Sequence, residues 1–186
     1  GEDAFRKEQV VTTLIDAHLD PATQDFNLDQ LRGTETEVET VASIMATPPM
    51  MAEWRVVVVR EVEGFASGKK ARETILEVVR NPPPGLVLIL SCTVPRGSRA
   101  KFYRDLSSLS HSVEFKAFTS ADIPGWLINR AREAYSVEIE VEAAQALSSA
   151  IGTNLGVLDR ELEKLTDFLG DRSLITIGDV EAVGTK

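Results

Sequence analysis

Four consecutive valines at residues 56–59 are the feature that most restricts how this chain can fold. Valine is branched at Cβ and favours extended backbone. Because the run is apolar without alternation, it predicts a strand covered on both faces, which is typical of a parallel sheet inside an α/β domain. Similar reasoning predicts strands at residues 86–90 and 111–118 and a short edge strand at 25–28. Helical patterns separate these segments, so the sequence predicts βαβ units.

Beyond residue 118 the pattern changes, because no further buried strand is predicted there. Helical periodicity predicts three helices, and the third begins at Asn154 with a clean apolar stripe. The stripe consists of Leu155, Leu158, Leu162, Leu165 and Leu169. Thr176 and Asp179 resemble a capping box that starts a last short helix. The sequence therefore predicts an α/β domain over residues 1–118 and a small helical bundle over residues 119–186.

Met50 and Met51 stand side by side shortly before the valines. Thr47 and Pro49 are residue types that begin helices, so this segment predicts a short helix that carries both methionines. Adjacent helical residues point about 100° apart, so one core stripe can hardly bury the two side chains. Two interpretations stay open: the pair fills gaps in the core, or it forms a knob that docks onto a partner.

Composition narrows the classes of function. The net charge of −9 argues against a domain that holds nucleic acid by electrostatics alone, although it allows a local basic patch. No apolar run approaches the ~20 residues that span a membrane, so no membrane contact is predicted. The single cysteine, Cys92, excludes an internal disulfide and fits a reducing cytoplasm.

Nucleotide binding is the first chemistry to test in such a fold. A P-loop needs the string G-x-x-x-x-G-K-[ST], whose glycines let backbone N–H groups cradle phosphates, and no such string is present. Where a P-loop would lie, the segment 1–8 places the carboxylates of Glu2 and Asp3 in the way of phosphates. The valine run should end in an aspartate that holds Mg²⁺, but it ends in Arg60, which would repel the metal. ATP hydrolysis is therefore not predicted.

Nucleophilic and metal chemistry find equally little support, and no cofactor is predicted. His18 and His111 lack ligand-like spacing to Cys92, which follows a buried strand and is interpreted as a small core residue. The best basic cluster consists of Arg96, Arg99, Lys101 and Arg104. It is interpreted either as an exposed polar face or as a contact for phosphate or an acidic partner.

The order of motifs resembles the delta subunit of the bacterial DNA polymerase III clamp loader, over the whole chain. The matching pieces are a G-x-D-x-F opening at 1–5, a D-F-N segment at 25–27, an apolar pair with a small residue, a polar residue and an arginine before the valines at 50–55, a basic helix at 99–104, and the segments 161–165 and 175–180. Each piece is weak by itself, and their order and spacing carry the resemblance.

The resemblance implies a fold and a set of partners. The first domain is expected to be a P-loop NTPase (AAA+-type) fold without a working nucleotide site, and the second its helical lid. Family members also have a strand before the position of Gly1 and a helical collar domain after that of Lys186, which joins the other loader subunits. The expected partners are these subunits, the ring-shaped sliding clamp (the beta subunit), and DNA within the full assembly. The expected location is the bacterial cytoplasm.

The resemblance also implies a binding site. In the family an apolar pair, usually Leu-Phe, wedges into a pocket on the clamp, and Met50 and Met51 occupy those positions here. Trp54 is expected to add aromatic surface. The expected function is that of a subunit of the polymerase holoenzyme without intrinsic activity, which binds the clamp and helps open it during DNA replication. Two alternatives remain: an ATP-hydrolysing motor subunit of the same fold, and a DNA-binding module.

Overall fold

A computed structural model describes residues 3–184 of the chain. The chain divides into two compact units, Gly1–Lys116 and Ala117–Lys186. Gly1 and Glu2, which begin the predicted G-x-D-x-F opening and the predicted P-loop position, lie outside the described residues. Within residues 3–184, no helix has the length and apolar character needed to cross a membrane.

A three-stranded parallel sheet forms the centre of the first unit. Its strands are β1 (Leu28–Arg32), β2 (Arg55–Arg60) and β3 (Leu86–Leu90), in the order β1-β2-β3. All four valines of β2 are fully buried, which confirms the predicted central strand. Val57 and Val59 belong to one core cluster, whereas Val56 and Val58 pack with α1 residues on the opposite face of the sheet. The alternation of side chains along a strand thus supplies both cores from one run.

The helices of this unit surround the sheet. They are α1 (Ala4–His18), α2 (Gln24–Asn27), α3 (Val38–Met45), α4 (Lys69–Arg80) and α5 (Lys101–Leu109), with a 3₁₀ turn at Val62–Phe65. Val11 and Ile15 of α1 cover one face of the sheet. The helices α3, α4 and α5 supply buried residues to the cluster on the other face. The expected parallel sheet with helical connections is confirmed.

Two predicted strands of this unit are wrong. Residues 25–27 belong to the one-turn helix α2, and the edge strand begins only at Leu28. Residues 111–118 form no strand, because a strand needs a hydrogen-bonded neighbour and the described sheet ends at β3. Val113 in this segment is 70% exposed, so the alternating pattern does not mark a buried face there.

The second unit is mainly helical. It contains α6 (Ile123–Tyr135), α7 (Val141–Ile151), α8 (Leu155–Leu169) and α9 (Ile177–Gly184). The predicted leucine stripe of α8 is buried along its whole length. The side chain of Asn154 accepts a hydrogen bond from the Val157 amide, which confirms the predicted start of this helix. That this unit acts as a lid stays a prediction.

The prediction that no buried strand follows residue 118 is wrong in one detail. Two strands of two residues each, β4 (Glu138–Ile139) and β5 (Leu174–Ile175), pair in parallel within the second unit. Ile139 and Ile175 are buried. Periodicity cannot reveal strands this short. Just after β5, the Asp179 carboxylate accepts a hydrogen bond of 2.8 Å from the Thr176 amide, and the Thr176 hydroxyl accepts one of 3.4 Å from the Asp179 amide, as the predicted capping box requires.

Candidate functional site

The parallel sheet has two distinct ends, and both carry residues singled out by the sequence. We call the end at which the strands begin the amino end, and the end at which they finish the carboxyl end. Residues 46–54, here named the methionine loop, lead into β2 and therefore lie at the amino end. The start of α1 and the residues that follow β2 and β3 meet at the carboxyl end, as the contacts described below show.

The methionine loop contains no helix, so the predicted short helix is wrong. Helix α3 ends at Met45, and Met51 has a left-handed backbone conformation with φ of +55°, which cannot continue a right-handed helix. The side chains of Met50 and Met51 are 54% and 88% exposed. They do not fill gaps in the core. That role belongs to Met45, which is fully buried.

Asn27, at the end of α2, holds the methionine loop in place. Its side-chain amide donates a hydrogen bond of 2.8 Å to the Met50 carbonyl and accepts one of 2.7 Å from the Met50 amide. The same NH₂ group donates to the Thr23 carbonyl at 3.0 Å. Asn27 is completely buried, so these bonds satisfy a polar group that would be costly to leave unpaired. Met50 is therefore fixed through its backbone while its side chain is exposed.

Gly85 provides a second support for the loop. It has φ of +77°, and a Cβ atom at this position would lie 2.7 Å from Cγ of Pro49 and 3.1 Å from the Glu53 carbonyl oxygen. The loop therefore packs directly onto the backbone that precedes β3, and only glycine leaves room for this contact. The Gly85 carbonyl accepts a hydrogen bond of 2.8 Å from the Arg55 amide, which closes the loop where β2 begins.

The remaining polar contacts of this end tie β2 to α2 and β1. The Arg55 guanidinium donates to the Phe26 carbonyl at 2.9 Å and forms an ion pair with Asp29. Trp54 is half-buried, and its ring makes an edge contact with His18 of α1 at 6.1 Å between centroids. Phe26 is 57% exposed. The amino end thus exposes three large apolar side chains, those of Phe26, Met50 and Met51.

Charged groups at the carboxyl end pair with one another. Asp3 is buried, and its carboxylate accepts hydrogen bonds from the amide and the Nε of Arg6 at 2.9 and 2.6 Å. Arg6 also donates to the Lys116 carbonyl. The start of a helix attracts anions because its N–H groups are free and its dipole is positive there. Here a carboxylate of the chain itself occupies that position.

Glu8 and Arg60 form the second pair at this end. Two hydrogen bonds of 2.7 and 2.8 Å join the guanidinium to the carboxylate, and Arg60 also donates to Gln30 at 2.9 Å. The mutual hydrogen bond is the largest cause that lowers the pKa of Glu8 and raises the pKa of Arg60. When the P-loop string is laid on residues 1–8, Glu8 falls where the motif has its Mg²⁺-binding Ser or Thr. Arg60 stands where the second Mg²⁺ ligand, an aspartate, would follow the valine strand.

Lys7 falls at the lysine of the same string. Its ammonium donates to the Cys92 carbonyl at 3.3 Å and to the Thr93 hydroxyl at 3.1 Å, so it is bound to the residues that follow β3. Burial raises the pKa of the Cys92 thiol, and the nearby Glu63 carboxylate raises it further. A thiol of this kind is a poor nucleophile at neutral pH. Among residues 3–184, no group of three potential ligands from His, Cys, Asp and Glu could hold a metal ion.

The basic cluster lies on the loop after β3 and on the first turns of α5. All four of its side chains are exposed: Arg96, Arg99, Lys101 and Arg104. Lys101 and Arg104 are three residues apart on α5 and therefore share one helix face. A contact between this cluster and phosphate or an acidic partner stays a prediction.

Comparison with known proteins identifies the family. The family model described as DNA polymerase III, delta subunit, matches residues 1–116. The chain belongs to the DNA polymerase III delta subunit family. It is 27% identical over 189 residues to DNA polymerase III subunit delta of Bacillus subtilis, a match that covers 97% of this chain and 54% of that protein. This delta-family chain therefore spans about half the length of its relative.

Solved structures agree on the fold of the delta-family chain. A Bacillus subtilis DNA clamp loader delta protein matches with a TM-score of 0.70 and 23% identity, over 94% of this chain and 53% of the other. A Thermotoga maritima RuvB variant matches with a TM-score of 0.52 and 17% identity, over 84% and 52% of the two chains. The predicted resemblance to the delta subunit is confirmed, as is the AAA+-like α/β fold with its parallel sheet.

Two groups of residues were missed in the sequence of this delta-family chain. Asn27 was noted only as part of a D-F-N segment, and no local pattern shows that it bonds to Met50, a residue 23 positions away. The pair of Glu8 and Arg60 could have been found from the sequence. Aligning the P-loop string with residues 1–8 places Glu8 at the Ser or Thr that binds Mg²⁺, and Arg60 lies where the aspartate that binds the same ion would follow the valine strand.

Proposed function

We propose that this delta-family chain is a non-catalytic clamp-loader component that binds the sliding clamp through Met50 and Met51 and helps to open it. The observation that carries this proposal is the methionine pair itself: two large apolar side chains exposed on a loop whose backbone is fixed. Scattered exposed apolar residues are ordinary, but an adjacent pair held by a buried asparagine is a binding feature. Trp54, half-buried at the end of the loop, adds a smaller contact.

The burial of two methionine side chains in a pocket on the clamp supplies enough free energy for binding. Burying a large apolar side chain contributes ~1.5–3 kcal/mol, so the two methionines together supply several kcal/mol of gross stabilisation. Because Asn27 and Gly85 already fix the backbone of the loop, binding costs little backbone ordering, and the remaining ordering cost is the rotamer freedom of the two methionines. Methionine is unbranched and adapts to irregular pockets, so the pair serves where the family more often has Leu-Phe. If the loop binds the open ring better than the closed ring, that difference in affinity shifts the clamp towards opening.

The chain needs no chemistry of its own for this role, and the carboxyl end supports that part of the proposal. A phosphate at the start of α1 would have to displace the Asp3 carboxylate, and Mg²⁺ would have to displace the ion pair of Glu8 with Arg60. Neither displacement is favourable, since each leaves a charged partner behind. ATP then acts in sister subunits of the loader. The exposed basic cluster at residues 96–104 is a candidate contact with these subunits or with DNA in the assembly.

Clamp titration tests the binding role. Met50→Ala combined with Met51→Ala is expected to weaken binding of the clamp from the same organism by ~2–4 kcal/mol, the scale of a small hot spot. The melting temperature should change little, because both side chains are exposed. A matched control is Val94→Ala combined with Val113→Ala, another pair of exposed apolar residues in the same unit, which should leave both quantities unchanged. A double methionine variant that melts much lower yet binds normally when folded would refute the wedge.

A nucleotide titration tests the non-catalytic part. With Mg²⁺ present, the chain and its Arg60→Asp variant are both expected to bind no ATP, because restoring one Mg²⁺ ligand leaves Asp3 and Glu8 in place. Saturable binding in the micromolar range by the unmodified chain would favour the rival function of an ATP-hydrolysing motor subunit. Hydrolysis gained by the variant alone would show that only Arg60 blocks the site.

A further inference from the structure

Phe26 is the third large apolar side chain exposed at the amino end of the sheet, and no part of the proposed function uses it. It lies in α2, which has a single turn, and it is 57% exposed, slightly more than Met50. An exposed phenylalanine held near two exposed methionines adds to the apolar surface at this end of the sheet, which water solvates poorly. Exposed apolar surface of this kind is typical of a site that a partner covers.

Hydrogen bonds bring Phe26 next to the methionine pair. Its neighbour Asn27 bonds to both backbone polar groups of Met50. The Phe26 carbonyl accepts a hydrogen bond of 2.9 Å from the guanidinium of Arg55, the first residue of β2, which directly follows the methionine loop. The backbone of Phe26 is therefore held between the first methionine and the start of β2.

Asn27 is suited to this task in a way that few residues are. Its side-chain amide matches the N–H and C=O of Met50 as a neighbouring peptide group would, and its second N–H bonds to Thr23 inside α2. Aspartate could accept from the Met50 amide but could not donate to either carbonyl. A hydrophobic residue would remove both hydrogen bonds that hold the Met50 backbone to α2. Asn27 thus couples the conformation of α2 to that of the methionine loop.

We propose that Phe26 is a third apolar contact of the clamp-binding surface and that Asn27 is the positioning residue that holds Phe26, Met50 and Met51 together. This inference rests on the proposed function. It specifies the chemistry of the partner site: an apolar pocket on the clamp wide enough for an aromatic ring beside the two methionines. Asn27 does not touch the clamp, and it acts by keeping most molecules in the binding-competent arrangement.

The first test is a set of single variants titrated with the sliding clamp. Phe26→Ala is expected to weaken binding about tenfold, since a contact at the centre of an interface commonly contributes this much. Phe168→Ala is the matched control, because Phe168 is 50% exposed on α8 in the other unit, and it should bind as the unmodified chain does. Equal affinities for the Phe26→Ala variant and the unmodified chain would overturn the role of Phe26.

The second test separates positioning from general stability. Asn27→Ala is expected to weaken clamp binding about tenfold and to speed hydrogen exchange at the Met50 amide. Asn27→Asp is expected to weaken binding at least as much, because it places a buried carboxylate oxygen against the Thr23 and Met50 carbonyl oxygens. In the Asn27→Ala background, removing the Met51 side chain should cost less affinity than in the unmodified chain, because the loop is then already misplaced. The control is Asn81→Ala. Asn81 is exposed, directly follows α4 and donates a hydrogen bond to the Glu77 carboxylate, and its replacement should show full additivity with the loss of the Met51 side chain.

The outcomes distinguish the two levels of the proposal. If the unmodified chain does not bind the clamp, the proposed function fails. If it binds and depends on Met50 and Met51, but Asn27→Ala shows additive losses and an unchanged Met50 amide, the positioning role fails while the proposed function stands. If Asn27→Ala does not fold, Asn27→Gln, which keeps the amide group but moves it by one methylene, answers the same question through the same cycle.

Discussion

The two ends of the parallel sheet show opposite ways of treating exposed side chains. At the carboxyl end, charged groups pair within the chain, as Glu8 does with Arg60. At the amino end, Phe26, Met50 and Met51 leave apolar surface exposed, although a buried asparagine fixes the backbone beside them. The proposed function assigns the exposed apolar surface of the amino end to a partner outside the chain.

The carboxyl ends of strands are the usual ligand side of an open α/β sheet. In this chain Asp3 caps α1 there, and Glu8 pairs with Arg60. We propose that these groups stand in place of a phosphate and a metal ion, so that a ligand site has become part of the structure. We propose likewise that the methionine loop at the amino end, whose backbone is fixed by Asn27 and Gly85, binds a protein partner. On this proposal, one fold has lost one function and kept another.

Gly85→Ala is expected to have the largest effect on stability and on clamp binding, because it disturbs the packing of the methionine loop against the backbone before β3. The positive φ costs about 1–2 kcal/mol for a residue with a Cβ, and the clash with Pro49 and Glu53 adds about 1–3 kcal/mol. Chemical unfolding should show a loss of about 2–5 kcal/mol, and clamp binding should weaken because the methionine loop is displaced. Gly125→Ala on α6 is the control, since a Cβ there meets no atom within 4 Å. Unchanged clamp affinity in a folded Gly85→Ala protein would show that the contact of the methionine loop with Gly85 is not needed for binding.

Asp3→Ala should have a smaller effect and only on stability. Loss of the helix cap and of the Arg6 partner is expected to cost about 1–2 kcal/mol in chemical unfolding. Asp3→Asn keeps an acceptor for the Arg6 amide, so it should lose less. Clamp titration should give the same affinity for all three proteins. A variant that is stable but binds the clamp poorly would show that the carboxyl end takes part in binding, which would contradict the proposal that only the amino end binds the clamp.

Arg60→Gln should have the smallest effect, no more than about 1 kcal/mol at neutral pH, because Glu8 is half-exposed and water screens the pair. The pKa of Glu8 is lowered in the folded protein, so the pair's contribution is present above the ordinary pKa of glutamate. It is lost as the pH falls through the lowered value. Melting curves against pH should therefore show a steeper acid loss for the unmodified chain than for the variant, and added salt should reduce the difference.

The sequence predicted the parts of the fold that depend on repeated local signals. The valine run, the α8 leucines and the cap at Asn154 each combine several residues that favour the same structure, and each is confirmed. The segment 111–118 has the alternation of a strand, but alternation does not specify a partner, and the described sheet provides none beyond β3. The strands β4 and β5 are too short for any period to appear.

The candidate site was predictable only in part. The sequence singled out Met50 and Met51, and their exposure agrees with a docking role that remains a proposal. The helix predicted for them was wrong, because the signals of Thr47 and Pro49 are local while the contacts that shape the loop come from Asn27 and Gly85, distant in sequence. A bond across 23 positions leaves no trace in a local pattern. Such contacts become visible only when the chain is folded.

Amide hydrogen exchange of the protein with and without the sliding clamp tests the central claim most directly. The clamp is expected to slow exchange in the methionine loop and in residues 24–27 at the amino end. Exchange around residues 3–8, 60–63 and 92–93 at the carboxyl end is expected to stay unchanged. Slowed exchange at the carboxyl end, with the methionine loop unaffected, would contradict the claim that the two ends have divided structural and binding roles.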